Sequence, residues 1–335
     1  MRLLVLGGTA FLGRAVVRAA LAAGHDVTCA ARGVSGEPES DARFVRVDRD
    51  AADGLAPLRG LEFDALIDVA RQPSHVRRAV AELAPRVGHA VYVSSCSAYA
   101  DQRTPGQRAA DAPALDPAPP EVDDPAEAES YGARKVAGER TFVDGFGADR
   151  TFICRAGLII GPGDDTNRFD YWVTRLARGG EVLAPGSPDD LVQYIDVRDL
   201  ADWLVRAGRD RLAGVYDGIG RPVGREHFLT HVAVGVASRV QLTWVDQEFL
   251  LSEGVRPWMG ERSLPLWLPL PEYAGFLSRD VSASLDAGLR TRDVAETARD
   301  TIASLRTLPA AAGTDAGLSP EDEVSLLEKW HDRTS

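Results

Sequence analysis

Short apolar runs alternate with longer amphipathic stretches through the first half of the chain. The runs predict strands at Arg2 to Leu6, Asp26 to Ala31, Arg43 to Val47, Ala65 to Val69 and His89 to Val93. Helical spacing between them predicts helices at Phe11 to Ala23 and Ser74 to Leu83. Because strands separated by helices pair in parallel, this order predicts an α/β fold with a Rossmann-type, doubly wound parallel sheet.

The second half of the chain is less regular. A Pro- and Asp-rich segment at 101–128 predicts a long surface loop, followed by a helix from Tyr131 to about Asp144. Beyond residue 161 the alternation weakens, which predicts a smaller C-terminal substrate-binding region. The predicted parts are a nucleotide-binding domain at 1–160 and 190–222, a substrate-binding region at 161–189 and 223–308, and a flexible segment with a terminal helix at 309–335.

Composition narrows the range of partners. The chain has 335 residues and a formal net charge of −12, which opposes binding to a nucleic acid. No apolar segment reaches the roughly 18 residues that a membrane span needs, and the first residues carry no signal-peptide pattern, so no membrane partner is expected. The three cysteines are expected to be free thiols of a reducing compartment. These features predict a cytoplasmic protein that acts on a small molecule.

A glycine-rich loop, GGTAFLG at 7–13, joins the first predicted strand to the first predicted helix. Small residues there let a pyrophosphate approach the backbone N–H groups at a helix N-terminus. Ala10 replaces the middle glycine of the usual spacing, which makes the motif weaker than its full form. The loop residues predicted to contact a dinucleotide are Gly7, Thr9, Ala10, Phe11, Leu12 and Gly13.

The residue at the end of the second strand predicts which dinucleotide binds. An acidic residue there would accept a hydrogen bond from the ribose 2′-hydroxyl of NAD, but this chain has Arg32, which suits a 2′-phosphate. NADP is therefore the predicted cofactor, with NAD as the alternative. Asp48 ends the third strand and is either an adenine contact or a turn residue. The remaining predicted cofactor contacts are Arg49, Ala70 and Leu158.

Tyr131 and Lys135 form the main candidate for acid–base chemistry. They lie four residues apart on a predicted helix, so both side chains reach the same face. An ammonium about 4 Å from a phenol favours the phenolate by about 4 kcal/mol at an effective dielectric of about 20, which would bring the pKa of Tyr131 toward neutrality. Lys135 is one of only two lysines in a chain whose other cations are arginines. A third partner is expected among Ser94, Ser95 and Ser97.

These motifs resemble the extended branch of the short-chain dehydrogenase/reductase superfamily, the NAD-dependent epimerase/dehydratase family. The resemblance covers roughly residues 1–220 and rests on GGTAFLG, SSCSAY, YGARK and IDVRDLADW. It places the catalytic hydroxyl four residues before a tyrosine that corresponds to Tyr99, which is Ser95, with Ser94 and Ser97 as alternatives. It implies a Ser-Tyr-Lys mechanism at the nicotinamide, with Tyr131 as acid and base and Lys135 tuning it.

Two departures from the family pattern bear on the substrate. Nucleotide-sugar enzymes of this family carry an Asn and an Arg that hold the diphosphate, and this chain has Leu158 and Gln193 at those positions. The predicted function is therefore an NADP-dependent carbonyl reductase or alcohol dehydrogenase. The alternative is a nucleotide-sugar epimerase or dehydratase with tightly bound NAD, and a less favoured one is a non-catalytic NADP sensor or an RNA-binding relative.

The sequence suggests a substrate-facing set and two further expectations. No metal site is predicted, because His227 and His231 have no carboxylate or cysteine pattern beside them. A homodimer is expected from the resemblance, through the helices at Ser74 to Leu83 and Tyr131 to Asp144. The residues expected to face the substrate are Ser97, Asn167, Arg168, Tyr171, Trp172 and Gln193.

Overall fold

The computed structural model describes residues 1–124, 126–307 and 316–334. Its strands are β1 (Arg2–Leu6), β2 (Asp26–Ala31), β3 (Arg43–Arg46), β4 (Phe63–Asp68), β5 (Val87–Ser95), β6 (Thr151–Ala156), β7 (Ile159–Ile160), β8 (Gly180–Pro185), β9 (Leu191–Val192), β10 (Ile195–Asp196), β11 (Gly214–Gly218), β12 (Val223–Gly224), β13 (Val240–Val245), β14 (Arg256–Trp258) and β15 (Ser263–Pro265). Its helices are α1 (Phe11–Ala22), α2 (Pro73–Leu83), α3 (Tyr131–Phe146), α4 (Arg168–Ala177), α5 (Val197–Asp210), α6 (Arg225–Gly235), α7 (Gln247–Ser252), α8 (Ser282–Asp286), α9 (Val294–Leu305) and α10 (Pro320–Thr334).

Seven parallel strands form the central sheet in the order β3-β2-β1-β4-β5-β6-β11. The strand order reverses between β1 and β4, which is the switch point where such sheets bind ligands. Helices cover both faces, with α1 and α5 on one and α2 and α3 on the other. The predicted Rossmann-type, doubly wound fold is confirmed.

Each strand of the sheet centre is buried on both faces, which explains its continuous apolar pattern. In β1 the residues Leu3 and Val5 pack against the α1 and α5 side, while Leu4 and Leu6 pack against the α2 and α3 side. The observed strands agree with the predicted ones within a few residues, and the main extension is β5, which runs to Ser95. That extension matters because it carries Ser95 to the carboxyl edge of the sheet.

The C-terminal half has a second apolar core. It is built around the parallel pair β8 and β13 with α4, α6 and α9, and it contains the buried indoles of Trp172 and Trp267. Helix α10 closes this core, since buried Glu323 accepts a hydrogen bond from Leu183 N–H at 3.0 Å. The predicted terminal helix is thus present, and most of the segment predicted to be flexible, at 309–315, lies outside the described residues. Within the described part of the chain no helix is long and apolar enough to cross a membrane.

Gln193 joins the two halves of the molecule. It is fully buried, and its Nε2 donates to the carbonyls of Gly220 at 3.0 Å and Arg279 at 2.9 Å. Its Oε1 accepts from the Arg279 N–H at 2.8 Å. Gln193 was expected to face the substrate, but all of these bonds go to backbone, so its amide holds the segment that leads into α8 against the sheet domain.

We therefore expect Gln193→Leu to lower the free energy of unfolding by about 2 kcal/mol or more, because three buried backbone groups lose their partner. Urea denaturation of the full chain measures this change, with the exposed Gln241→Leu as the matched control. An unchanged unfolding midpoint in Gln193→Leu would contradict the structural role.

Candidate active site

The glycine loop after β1 is shaped to receive phosphate. Gly7 has a φ of +89° and donates its N–H to the Ala30 carbonyl at 2.9 Å. A Cβ on Gly13 would overlap the Gly7 carbonyl oxygen, so only glycine lets the first turn of α1 lie this close to the loop. The N-cap is Ala10, which has no polar side chain, and the first turn contains no acidic residue. The orphan N–H groups of α1 thus remain open to an anion, and this cradle fits a dinucleotide.

Beyond the end of β2, where the adenosine of a dinucleotide is expected, the Asp50 carboxylate contacts both Arg32 and His75. Arg32, predicted to bind a 2′-phosphate, donates from Nη1 to Asp50 Oδ2 at 3.1 Å, and both side chains are exposed. Asp50 Oδ1 lies 2.7 Å from His75 Nε2. This contact is the largest cause of a lowered pKa of Asp50, and the nearby charge of Arg32 lowers that pKa further. The Asp48 carboxylate accepts from the Asp50 N–H at 3.1 Å, which is the turn role that was its alternative.

The other predicted cofactor residues lie around the end of β4. Arg49 pairs with the fully buried Asp68 carboxylate at 2.8 and 3.0 Å and lies across from Gly7. Asp68 also accepts from the Ala70 N–H at 2.9 Å. Thr9 is buried, whereas Ala10, Phe11 and Leu12 are half-buried at the loop surface. Leu158 is different, because its side chain packs into the C-terminal core.

The structure separates the three candidate serines. Ser94 is buried and donates a hydrogen bond to Glu139. The Glu139 carboxylate also accepts hydrogen bonds from Nε and Nη2 of Arg155, at 2.9 and 2.7 Å. Ser95 lies at the end of β5, is half-buried, and acts on the nearby Tyr131 phenol as a hydrogen-bonding group that lowers its pKa. Ser97 donates its backbone N–H to Ser95 Oγ at 3.1 Å. Ser95 is therefore the serine whose hydroxyl acts on Tyr131. Ser94 instead belongs to a buried cluster with Glu139 and Arg155.

Lys135 is buried between two strand ends. Its Nζ donates to the carbonyls of Ala70 at 2.6 Å and Val93 at 2.7 Å, and only 2% of the residue is exposed. Burial lowers the pKa of Lys135 to about 7, although the nearby Asp68 carboxylate acts in the opposite direction. The ammonium is 6.0 Å from the centre of the Tyr131 ring.

The pKa of Tyr131 is set by arginines more than by Lys135. Burial raises the pKa of its phenol, and the largest opposing effect comes from Arg71, ahead of the Ser95 hydrogen bond and of Arg168 and Arg134. The Cζ atoms of Arg71 and Arg134 lie 5.8 and 6.0 Å from the centre of the Tyr131 ring. The expected neutral pKa from a lysine about 4 Å away was wrong for this state of the protein, because the ammonium binds backbone carbonyls instead.

The residues expected to face substrate lie in different places. Trp172 belongs to the C-terminal core and donates to the Pro265 carbonyl at 2.6 Å, and Tyr171 packs edge-on against it at 5.1 Å and also meets Gly317. Asn167 begins α4 with a φ of 57°. Within this set, Arg168 carries a charge that lowers the pKa of Tyr131. Ser97 lies beside Ser95 and donates its backbone N–H to the Ser95 hydroxyl oxygen.

Sequence reasoning missed several residues around Tyr131. Arg71 lies three residues after the end of β4, so its position in the loop at a strand end was an available signal. Trp258 lies distant in sequence, and the face of its ring against Arg168 follows only from the fold. Among residues 1–124, 126–307 and 316–334 no group of three or more His, Cys, Asp or Glu side chains is arranged to hold a metal ion.

The site's sequence matches a known protein family. The family model described as "NAD dependent epimerase/dehydratase family" matches residues 3–85 and 76–217, which together are more than half of the chain. This chain belongs to that family. It is accordingly an enzyme of the extended short-chain dehydrogenase/reductase class that uses NAD(P). No curated protein matches the chain in sequence.

Solved structures of this family's fold match nearly the whole chain. The Bordetella bronchiseptica enzyme WbmH in complex with NAD+ is 18% identical, with 91% of this chain and 98% of that chain covered and a TM-score of 0.65. The Thermus thermophilus UDP-glucose 4-epimerase complex with NAD is 20% identical, with 92% and 100% covered and a TM-score of 0.63. The Bacillus cereus UDP-glucuronic acid 4-epimerase complex with NAD is 14% identical, with 93% and 99% covered and a TM-score of 0.63. At these identities the likeness shows the fold.

The predicted carbonyl reductase function was wrong. The matching family is described as an epimerase/dehydratase family, and solved structures of the same fold include a UDP-galactose 4-epimerase and a UDP-glucose 4-epimerase, which favours the alternative stated above. The reductase prediction treated Gln193 as a pocket residue without charge. Because Gln193 is buried against Gly220 and Arg279, its identity carries no information about the charge of the substrate.

Burial of Lys135 predicts a pH-dependent stability. The folded pKa is about 7 and the ordinary value is 10.5, so above pH 7 the unfolded chain binds more protons and stability rises with pH. The unfolding free energy of wild type minus that of Lys135→Met should increase by about 2 kcal/mol from pH 7 to pH 9. Urea titrations at both pH values measure it, and Lys329→Met, at the exposed second lysine, should show no such change. A constant difference would contradict the buried ammonium.

Proposed function

We propose that this enzyme is an NAD(P)-dependent epimerase of a nucleotide-activated sugar. The observation that carries the proposal is the meeting of Ser95 and Tyr131 beside Lys135 at the edge of the sheet where the glycine loop lies. The chemistry needs one group that can remove and return a hydroxyl proton, and Tyr131 is placed for it. The fold neighbours that act on UDP-sugars support the substrate class.

Tyr131, Ser95 and Lys135 have separate roles in the proposed proton transfer. Tyr131 removes the proton from a sugar hydroxyl and returns it to the same oxygen, while Ser95 donates a hydrogen bond to that oxygen. Lys135 fixes the spacing of the ends of β4 and β5 through Ala70 and Val93. A dinucleotide held at the glycine loop would supply the hydride chemistry, which inverts the sugar carbon only if the hydride returns to the opposite face of the carbonyl carbon. Because hydride and proton are both returned, substrate and product have the same composition.

An epimerase is favoured over a dehydratase by the residues that follow Ser95. A dehydratase needs an acid and a base to remove water, and an acidic pair beside the catalytic hydroxyl would provide them. This chain has Cys96 and Ser97 there, and burial beside Asp217 keeps the pKa of the Cys96 thiol well above its ordinary value. A neutral thiol and a hydroxyl do not provide the acid and base that elimination of water needs.

Substitution of Tyr131 and the serines tests this function. Tyr131→Phe should lower kcat for UDP-glucose or UDP-glucuronic acid epimerisation by about a hundredfold or more, and Ser95→Ala by about a hundredfold. Product sugars separated by chromatography provide the readout. Ser97→Ala, at the neighbouring hydroxyl, is the matched control and should stay within a few-fold of wild type. Wild-type protein that binds NAD(P) and epimerises no nucleotide sugar would overturn the proposed function.

Within the NAD(P) class we propose NADP as the preferred cofactor. The support is Arg32 at the end of β2, in the place where an acidic residue would bind the ribose of NAD. Its partner Asp50 is exposed, and an exposed ion pair contributes little, so a 2′-phosphate can replace it at small cost. The planar fork of Arg32 matches a phosphate in geometry.

Cofactor titration tests this preference. Arg32→Ala should weaken NADPH binding by about tenfold or more and leave NADH binding nearly unchanged, because only NADPH carries the 2′-phosphate. Fluorescence titration measures both constants. Arg18→Ala, at an exposed arginine of α1 that pairs with Glu39, is the control. Tighter binding of NADH than NADPH by wild type would refute the preference.

A further inference from the structure

The substrate's anionic part needs a cation that the family positions do not supply. Those positions are Leu158, which lies in the C-terminal core, and Gln193, which binds only backbone groups. Among the buried arginines near the site, Arg155 pairs with Glu139 and Arg279 with Asp217, while Arg134 donates to the Ser130 hydroxyl and the Glu127 carbonyl beside its own helix. Arg168 differs from them in its position and in what surrounds it.

A short chain of hydrogen bonds orients the Arg168 side chain. Buried Asp164 accepts from the Thr166 N–H at 2.9 Å and from its hydroxyl at 2.7 Å. The Thr166 hydroxyl oxygen in turn accepts from Arg168 Nε at 3.0 Å. The Trp258 ring lies under the guanidinium, 5.1 Å from Cζ. The side chain is therefore held at Nε and on one planar face, and its positive charge is close enough to Tyr131 to lower the pKa of that phenol.

Buried Asp164 and exposed Asp165 act on the charge of Arg168, and buried Asp170 interacts with Asp164. Asp164 is 3% exposed and Asp170 is 8% exposed, and within the described part of the chain each has one buried carboxylate oxygen with no hydrogen-bond partner. Burial raises the pKa of Asp170 to about 7 and also raises that of Asp164, so both carboxyls are drawn toward their neutral forms. Burial lowers the pKa of Arg168 itself, a cost that a bound anion would offset.

We propose that Arg168 binds an anionic oxygen group of the substrate over Tyr131, and so replaces the diphosphate-binding residues that this chain lacks at 158 and 193. The proposal rests on the proposed function and deepens it by naming the residue that selects an anionic substrate. A guanidinium fixed at Nε and on one face still presents its outer nitrogens, which match two oxygens of a phosphate or carboxylate. Both a sugar diphosphate and a sugar acid provide such oxygens.

Calorimetry with simple and complete ligands tests the proposal. Wild type, Arg168→Gln, Arg168→Lys and Arg178→Gln are saturated with cofactor and titrated with inorganic pyrophosphate, UDP, UDP-glucose and UDP-glucuronic acid. Arg178, exposed at the end of the same helix, is the matched control. Arg168→Gln should weaken pyrophosphate binding by about tenfold to a hundredfold, Arg168→Lys by less, and Arg178→Gln by less than twofold. Retained cofactor affinity shows that each variant is folded.

The four ligands separate the outcomes. A similar loss for UDP, UDP-glucose and UDP-glucuronic acid assigns the diphosphate as the partner, and a loss confined to UDP-glucuronic acid assigns the carboxylate. Equal affinities of wild type and Arg168→Gln for all four ligands, including no binding by either, overturn the proposal. If pyrophosphate binding depends on Arg168 but no nucleotide sugar is bound or epimerised, the anion site stands and the proposed function fails.

Discussion

The buried ammonium of Lys135 is the interaction on which the site depends. It connects α3 to the carboxyl ends of β4 and β5 through the carbonyls of Ala70 and Val93. An ammonium placed away from water is costly unless its donors are satisfied, and these two carbonyls satisfy two of the three. Tyr131 starts the same helix and Ser95 ends the same strand, so this contact helps to fix where these two side chains lie relative to each other. An arginine could not fill this space, which gives the rare lysine its physical reason.

A buried ionic cluster next to the site connects α3 and the central sheet to the segment that contains Arg279. Glu139 on α3 binds Arg155 on β6 and accepts from Ser94, and the Tyr99 ring lies between the guanidiniums of Arg155 and Arg279. The Tyr99 hydroxyl donates to Asp217 at 2.6 Å, and Arg279 pairs with the same carboxylate. Removing one member would leave a buried charge without its partner, so such clusters tolerate little change. The segment that contains Arg279 is thereby tied to β11 of the central sheet.

The charge around Tyr131 is positive although the net charge of the chain is −12. Acidic residues dominate the chain, yet Arg71, Arg134 and Arg168 all influence Tyr131. They come from three separate elements, the loop after β4, α3 and α4. A local cluster of guanidiniums attracts anions whatever the total charge, because the field in a cleft is set by the nearest groups. The expectation of a less charged substrate rests on two positions and misses this cluster.

Local rules determined much of the fold. Alternation of apolar runs with amphipathic stretches predicted the strands of the parallel sheet, and the glycine spacing at 7–13 predicted the phosphate loop, since both follow from short-range geometry. The pair Tyr131 and Lys135 was predicted because a helix brings residues four apart to one face. Ser95 was assigned through resemblance, and its contact with Tyr131 in the structure is a separate observation.

Contacts between distant segments were decided only by the tertiary structure. Gln193 meets Arg279, and Arg168 meets Trp258, across separations that carry no periodic signal. The pKa of Lys135 could not be read from spacing, because it depends on carbonyls from two other strand ends and on burial. Spacing within one helix or strand is a property of the local chain, whereas burial and long-range charge are properties of the packed molecule. The sequence therefore determined the sheet, the loop and the acid–base pair, and the tertiary structure decided which cations face them.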